Sequence, residues 1–331
     1  MTDEKPQPVS PEMLESLRAA SDNRVQSAKI RDAVLTIIVD ASGLDPDARA
    51  GVERSLRAAT LSLRDVRDVR IAMTAEKAVK PAGPRIIAVG SGKGGVGKST
   101  LSVNLAVALA KAGLRVGMVD ADVYGPSLPR LLSSEDVKPR AEDNKLIPVP
   151  NGYGVPMLSM GHLIAPGQAI AWRGPMAGNA LGQLVDADWR GTDILVIDLP
   201  PGTGDVQLTM ISKHKPFGAV IVSTPQDLAL MDATRAINLF ETAGVPIIGL
   251  VENMSGYACP HCGEVSEPFG QGGAEAAATA MKLDFLGRVP LDIAVRRASD
   301  AGTPPAAGAD AEAAPFAAIA ERVAAWIRAR D

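Results

Sequence analysis

The sequence predicts an α/β protein: a doubly wound, mostly parallel sheet over residues 85–331, preceded by a small α+β domain over residues 1–80. Three observations carry that prediction. Short, nearly continuous apolar runs recur, as in a parallel sheet covered on both faces. Helix-spaced segments fill the gaps between them, the alternation that builds βαβ units. A cluster of breakers, Lys80-Pro81-Ala82-Gly83-Pro84, divides the chain, so residues 81–84 read as a linker.

The elements follow in order. Residues 1–30 read as a polar lead-in with one short helix near residues 11–20. Residues 33–40 are apolar and β-branched, a strand. Asp45-Pro46 supplies an N-cap and a first-turn proline, and Ala48, Val52, Leu56, Ala59 and Leu63 continue at helical spacing. Residues 69–73 close this β-α-β unit. Past the linker, strands are expected at 85–90, 114–120, 193–199, 217–224, 247–253 and 284–289. Helices are expected at 99–112 and 228–243, among others. The Ala/Pro-rich residues 301–315 read as a surface loop. Phe316, Ile319, Val323, Trp326 and Ile327 recur at helical spacing, which favours packing on the core over a membrane-binding face.

Composition narrows the function. Lys and Arg number 34 against 38 Asp and Glu, a net charge of −4, so no basic field draws the chain to nucleic acid or acidic lipid. Aromatic residues at 3% leave few platforms for stacking bases. No apolar run approaches the ~20 residues that cross a bilayer. Met1-Thr2-Asp3-Glu4-Lys5-Pro6 lacks the basic start and apolar stretch of a signal peptide. The expectation is a cytoplasmic protein with neither nucleic-acid nor membrane partners. Two cysteines with two residues between them exclude a disulfide scaffold.

The chemistry concentrates in three places. The strand at 85–90 runs into Gly92-Lys93-Gly94-Gly95-Val96-Gly97-Lys98-Ser99-Thr100 and then a helix. This is the P-loop pattern G-x4-G-K-[ST] in its strand–loop–helix context. Its glycines let backbone N–H groups curl around ATP phosphates, helped by the helix N-terminus. Lys98 should reach the terminal phosphates, and the Ser99 hydroxyl should ligate Mg²⁺. Asp198 ends an apolar strand, where an aspartate typically holds Mg²⁺ through water. Asp120 and Asp122 end another strand, and Asp120 should support the metal shell. The glycine-rich residues 199–205, with Gly202 and Asp205, suit a γ-phosphate switch; Asp205 fits a helix cap equally well. Finally, Cys259-Pro260-His261-Cys262 places two thiols in one tight loop. A metal or cluster usually needs four ligands, so a purely thiolate site requires two chains. Three readings of the pair stay open: a bridging iron–sulfur cluster, a bridging structural zinc, and a redox pair, the last fitting poorly so far from a thioredoxin-type strand.

The motifs also resemble a known family. Gly-Lys-Gly-Gly-Val-Gly-Lys-Ser, with its additional Lys93, resembles the deviant P-loop of the Mrp/ParA/MinD class. Joined with residues 120–127, residues 198–205 and Asn253-Met254-Ser255 ahead of Cys259 and Cys262, it resembles the Mrp/ApbC iron–sulfur cluster carrier ATPases over residues 84–331. The resemblance implies a homodimer in which Lys93 reaches the partner's phosphates. It implies catalysis by Lys93, Lys98 and Asp122, the last orienting water. Asn253, Pro290 and Asp292 fall where the family contacts adenine. A labile [4Fe–4S] cluster held by Cys259 and Cys262 would pass from assembly scaffold to recipient apoproteins, with slow ATP hydrolysis. The N-terminal domain resembles the small MIP18-like domain fused to such carriers, here without a cysteine. The alternative is a ParA/MinD-like spatial-organising ATPase with structural zinc or no metal at the thiols.

Overall fold

A computed structural model describes residues 7–42, 44–60, 63, 66–74, 83–123, 125–163 and 174–330. The chain divides into two units, Met1–Ala82 and Gly83–Asp331. Residues 81 and 82 of the expected linker lie outside the described residues.

The first unit contains β1 (Gln7–Pro8), α1 (Pro11–Ala19), β2 (Val25–Arg31), β3 (Val34–Asp40), α2 (Pro46–Thr60) and β4 (Asp68–Thr74). Its sheet runs β1-β2-β3-β4, with β3 and β4 parallel and the other pairs antiparallel. Leu17, Val25, Leu35, Ile37, Val39 and Leu56 form its core. The lead-in is therefore richer than the sequence suggests, because it includes β1 and runs into β2. A register shift between Val25 and Ser27 breaks the alternation that would have revealed β2. Asp32 and Ala33 form the turn into β3 with φ of 51° and 62°. Ala33 thus belongs to a hairpin turn rather than to the strand, a conformation glycine usually signals.

The second unit contains β5 (Arg85–Ser91), α3 (Lys98–Lys111), β6 (Val116–Asp120), α4 (Leu128–Leu131), the hairpin of β7 (Arg140–Glu142) and β8 (Lys145–Ile147), β9 (Met157–Ser159), α5 (Gly174–Val185) and β10 (Ile194–Asp198). It continues through α6 (Asp205–His214), β11 (Gly218–Ser223), α7 (Asp227–Thr242), β12 (Ile247–Asn253), the hairpin of β13 (Tyr257–Ala258) and β14 (Val265–Ser266), α8 (Gly273–Met281), β15 (Phe285–Val289), α9 (Ile293–Asp300) and α10 (Ala314–Arg328). Seven strands form one parallel sheet ordered β15-β12-β11-β5-β10-β6-β9. Every residue of β6, β10 and β11 is buried, because each strand is covered twice. Alternate residues feed two cores. Ile87, Val89, Val116 and Val196 pack with α3 and α10, whereas Ala88, Val119, Leu195 and Ile197 pack with α5, α6, α7 and α8. Parallel strands place every carboxyl end on one edge, where an open α/β sheet gathers its functional loops.

Residues 301–315 lie largely at the surface, as expected, but are not irregular throughout. They form short 3₁₀ turns at Pro305–Ala307 and Ala311–Ala313, with Ala306 and Ala313 buried. The Ala306 N–H donates to Asn104 Oδ1 of α3 at 2.8 Å. Ala306 and Ala313 fill tight space, whereas Ala301, Ala307, Ala309, Ala311 and Ala314 are exposed. In α10, Phe316, Ile319, Val323 and Ile327 are buried, and Trp326 meets Phe217 edge-on at 5.4 Å. Among the described residues, no helix is long and apolar enough to cross a membrane.

Candidate nucleotide-binding site and thiol hairpin

The loop Gly92–Gly97 joins β5 to α3. Gly95 and Gly97 adopt φ of 81° and 79°, the left-handed region that turns successive N–H groups inward. Gly92 lies against α7: a Cβ there would fall 2.0 Å from the Asp232 carbonyl carbon and 2.4 Å from the Ala233 nitrogen. Overpacking of this kind costs about 1–3 kcal/mol. A Gly92→Ala variant is therefore expected to lose about 1–3 kcal/mol of stability, read by chemical denaturation. Unchanged stability would show that the loop can move away from α7 without penalty.

Lys98 is 6% exposed and Asp198 fully buried, and they pair at 2.8 Å. The Ser99 hydroxyl donates to Asp198 Oδ2 and the Ser102 hydroxyl to Oδ1, both at 2.6 Å. Strand register contributes to the meeting, since β10 lies beside β5 with Asp198 level with Val89, near the strand end from which the P-loop leaves. Ser102 was missed in the sequence. Its signal is a buried hydroxyl one turn beyond Lys98 in a helix that also carries Ser99, Thr100 and Asn104.

Asp120 sits opposite Asp198 in the β6–β10 register. Its carboxylate accepts from Ser159 Oγ at 2.9 Å and from the N–H groups of Leu128 and Asp122 at 3.1 and 3.2 Å. Burial, reinforced by the Asp198 charge, pushes its pKa up to about 7. Its oxygens thus anchor the turn after β6. Asp122 accepts from the Gly125 N–H at 3.2 Å in that turn.

Lys93 is half-exposed, and its carbonyl accepts from Ser91 Oγ at 3.0 Å. The switch-like loop is tied to the same strand end, because the Gly202 N–H donates to the Ser91 carbonyl at 2.9 Å. Gln207, buried in α6, donates its amide to the carbonyls of Pro200 and Gly202 at 2.6 and 3.0 Å. Nothing in its sequence neighbourhood singles out this glutamine. Asp205 opens α6, and its side chain lies outside the described residues.

Beside the P-loop, a cavity of about 430 Å³ is lined by Thr100, Asn253, Met254, Tyr257, Pro290 and Asp292, among others. That volume falls within the range of small-molecule sites, roughly 300–1,000 Å³. The three residues expected near adenine are therefore brought together. Two already have local work: Asn253 Nδ2 donates to the Val96 carbonyl at 2.8 Å, and Asp292 caps α9 through the Ala294 N–H at 2.6 Å.

The cysteines occupy the tip of the β13–β14 hairpin. The Cys259 N–H donates to the Glu264 carbonyl at 2.9 Å, and the Gly263 N–H donates to the Cys259 carbonyl at 2.8 Å. Backbone N–H groups of Cys262 and His261, then the Cys262 side chain, hydrogen-bond the Cys259 sulfur and hold its pKa below the usual thiol range. Both thiols are accessible and unoxidised, Cys262 the more exposed. Among the described residues, no group of three or more His, Cys, Asp and Glu side chains is placed to hold a metal ion.

A P-loop at the central strand, a buried aspartate at the neighbouring strand end and a seven-stranded parallel sheet define a nucleotide-binding P-loop NTPase. The chain belongs to the NUBPL iron-transfer P-loop NTPase family within the ParA group, which it matches over residues 84–324. It is 44% identical over 287 residues to an iron-sulfur cluster carrier protein of Deinococcus radiodurans, covering 85% of this chain and 81% of that one. It is 52% identical over 221 residues to an Arabidopsis thaliana iron-sulfur protein required for NADH dehydrogenase, covering 66% of this chain and 70% of that one. Among solved structures, the Archaeoglobus fulgidus nucleotide-binding protein in complex with ADP superposes with a TM-score of 0.59 at 42% identity, covering 66% of this chain and 86% of that one. Pyrococcus furiosus MinD, at 24% identity and a TM-score of 0.51, shares the fold.

Proposed function

We propose that this protein is an ATP-dependent iron–sulfur cluster carrier, working as a homodimer in the cytoplasm. The observation that carries the proposal is the hairpin: the chain's two thiols sit at the tip of a hairpin whose first residue, Tyr257, lines a nucleotide-sized cavity. Two thiols per chain make four in a dimer, the set that a [4Fe–4S] cluster takes. An exposed tip favours release, which suits cargo better than a permanent redox centre. Relatives named as carriers support the reading.

The P-loop N–H groups and Lys98 would bind the ATP phosphates, with the base in the adjoining cavity. Ser99 and Asp198 present the oxygen donors that Mg²⁺ takes, and that ion would offset phosphate charge. Asp120 would hold the turn that aims Asp122 at the attacking water. Lys93 would reach the partner's phosphates, and Gly202 and Asp205 would report the γ-phosphate to the rest of the chain. The unit before Gly83, which has no cysteine, would dock partners or regulate the cycle. Burial of the α10 apolar stripe removes the main feature that would favour a membrane-associated spatial organiser.

The test is transfer. Anaerobically loaded protein is mixed with an apo form of a [4Fe–4S] hydratase, and recovery of hydratase activity is followed with and without ATP. Recovery without added iron, accelerated by ATP, is expected. A cluster that stays on this protein through repeated redox cycles would instead indicate an electron donor.

A further inference from the structure

The nucleotide cavity and the thiol hairpin share one short stretch of chain. At its start, Asn253 donates to the Val96 carbonyl inside the P-loop. Met254 then turns the chain with a left-handed φ of 59°. The Ser255 N–H donates to the Val289 carbonyl at 3.1 Å, and the Leu291 N–H donates to the Gly256 carbonyl at 2.9 Å. Tyr257 follows. It lines the cavity, and it is the first residue of β13, two positions before Cys259.

The base of this excursion is clamped. Glu252, fully buried at the end of β12, accepts from Ser255 Oγ at 2.9 Å and Arg288 Nε at 3.1 Å. It also accepts from the N–H groups of Gly272 and Ala274 at 3.0 and 2.8 Å. One carboxylate therefore pins both ends of residues 255–272. Between those pins, Tyr257 is the hairpin residue that forms a wall of the cavity. By contrast, the loop after β10 is tied to Ser91 and Gln207.

We infer that Tyr257 reads the nucleotide base and passes its presence to Cys259 and Cys262, so that the base, more than the phosphates, sets the accessibility of the thiols. The inference rests on the proposal that the cavity takes the purine of ADP or ATP. Its physical content is differential contact: a ligand shifts a conformation only as far as it binds one arrangement better than another. A base resting on the Tyr257 ring favours one hairpin position, whereas an inorganic phosphate chain in the P-loop does not touch that ring. Tyr257 is thus a positioning residue for the thiols.

The experiment uses metal-free, reduced, full-length protein and reads the rate of iodoacetamide alkylation at Cys259 and Cys262 by mass spectrometry. The additions are none, saturating ADP, or saturating inorganic tripolyphosphate, with binding verified by calorimetry. ADP is expected to change the rates at least about fivefold, the low end of typical allosteric couplings, and tripolyphosphate much less. Tyr257→Ala should abolish the ADP effect at ADP concentrations that saturate the variant, and Tyr257→Phe should keep it. An equal effect of tripolyphosphate, or a full ADP effect in Tyr257→Ala, would overturn the inference. So would ADP that binds without altering either rate. The wild-type comparison decides the matter even if the alanine variant folds poorly. Failure of ADP to bind at all would instead bring down the nucleotide assignment, and the cluster proposal is tested separately by iron loading.

Discussion

Replacing Lys98 with alanine is expected to destabilise the P-loop unit by about 3 kcal/mol, because it strands Asp198 as a buried charge. The pair lies at 2.8 Å with the aspartate wholly enclosed. Removing one member of such a pair costs about 3–5 kcal/mol, and the Ser99 and Ser102 hydroxyls that remain on Asp198 argue for the lower end. At about 2–4 °C per kcal/mol for a unit of this size, the melting temperature should fall by roughly 6–12 °C. The converse variant separates structure from binding. Asp198→Asn frees the Lys98 ammonium, and added ADP offers it a new anion. ADP should therefore restore stability to Asp198→Asn and leave Lys98→Ala unrescued, as read by thermal melts with and without ADP. A Lys98→Ala protein that melts like wild type would mean that water already reaches the pair.

Single substitutions Cys259→Ala and Cys262→Ala should each abolish stable cluster binding, because a dimer of either variant retains two thiols where four are needed. Neither thiol supports the core, and surface changes of this kind usually stay within about 0.5 kcal/mol. The melting temperature and ADP affinity should hold while iron retention falls at least about tenfold, a loss of more than 1.4 kcal/mol of cluster affinity. Iron assay, visible absorbance and ADP calorimetry on the same preparation make the comparison. A single-cysteine variant that keeps its cluster would point to ligands elsewhere.

Six strands of the seven-stranded sheet were legible because parallel strands buried on both faces announce themselves: Ile194–Asp198 and Ile247–Asn253 are apolar almost throughout, whereas the three-residue edge strand β9 was too short to be seen. The P-loop and the thiol pair were legible as motifs because spacing alone marks them out. What stayed hidden depends on distant parts of the chain. The Lys98–Asp198 pair joins a helix start and a strand end that meet because β10 lies beside β5. Ser102 and Gln207 are ordinary in sequence and acquire roles only when Asp198 and the Pro200 carbonyl arrive beside them. Strand β2 was masked by its register shift, and Ala306 is placed by a partner far away in the chain, Asn104 of α3, which accepts its N–H. The double duty of Tyr257 was invisible for the same reason, since the cavity it lines is completed by Thr100 and Pro290 from far away in the chain.

The central claim is that two chains share one cluster through the paired thiols. Anaerobic reconstitution with iron and sulfide, followed by native mass spectrometry of the wild-type protein, tests it most directly. The account predicts a brown species whose mass equals two chains plus about one [4Fe–4S] unit, dissociating as the cluster is chelated. A colourless chain holding zinc, or a monomer that carries a complete cluster alone, would contradict it.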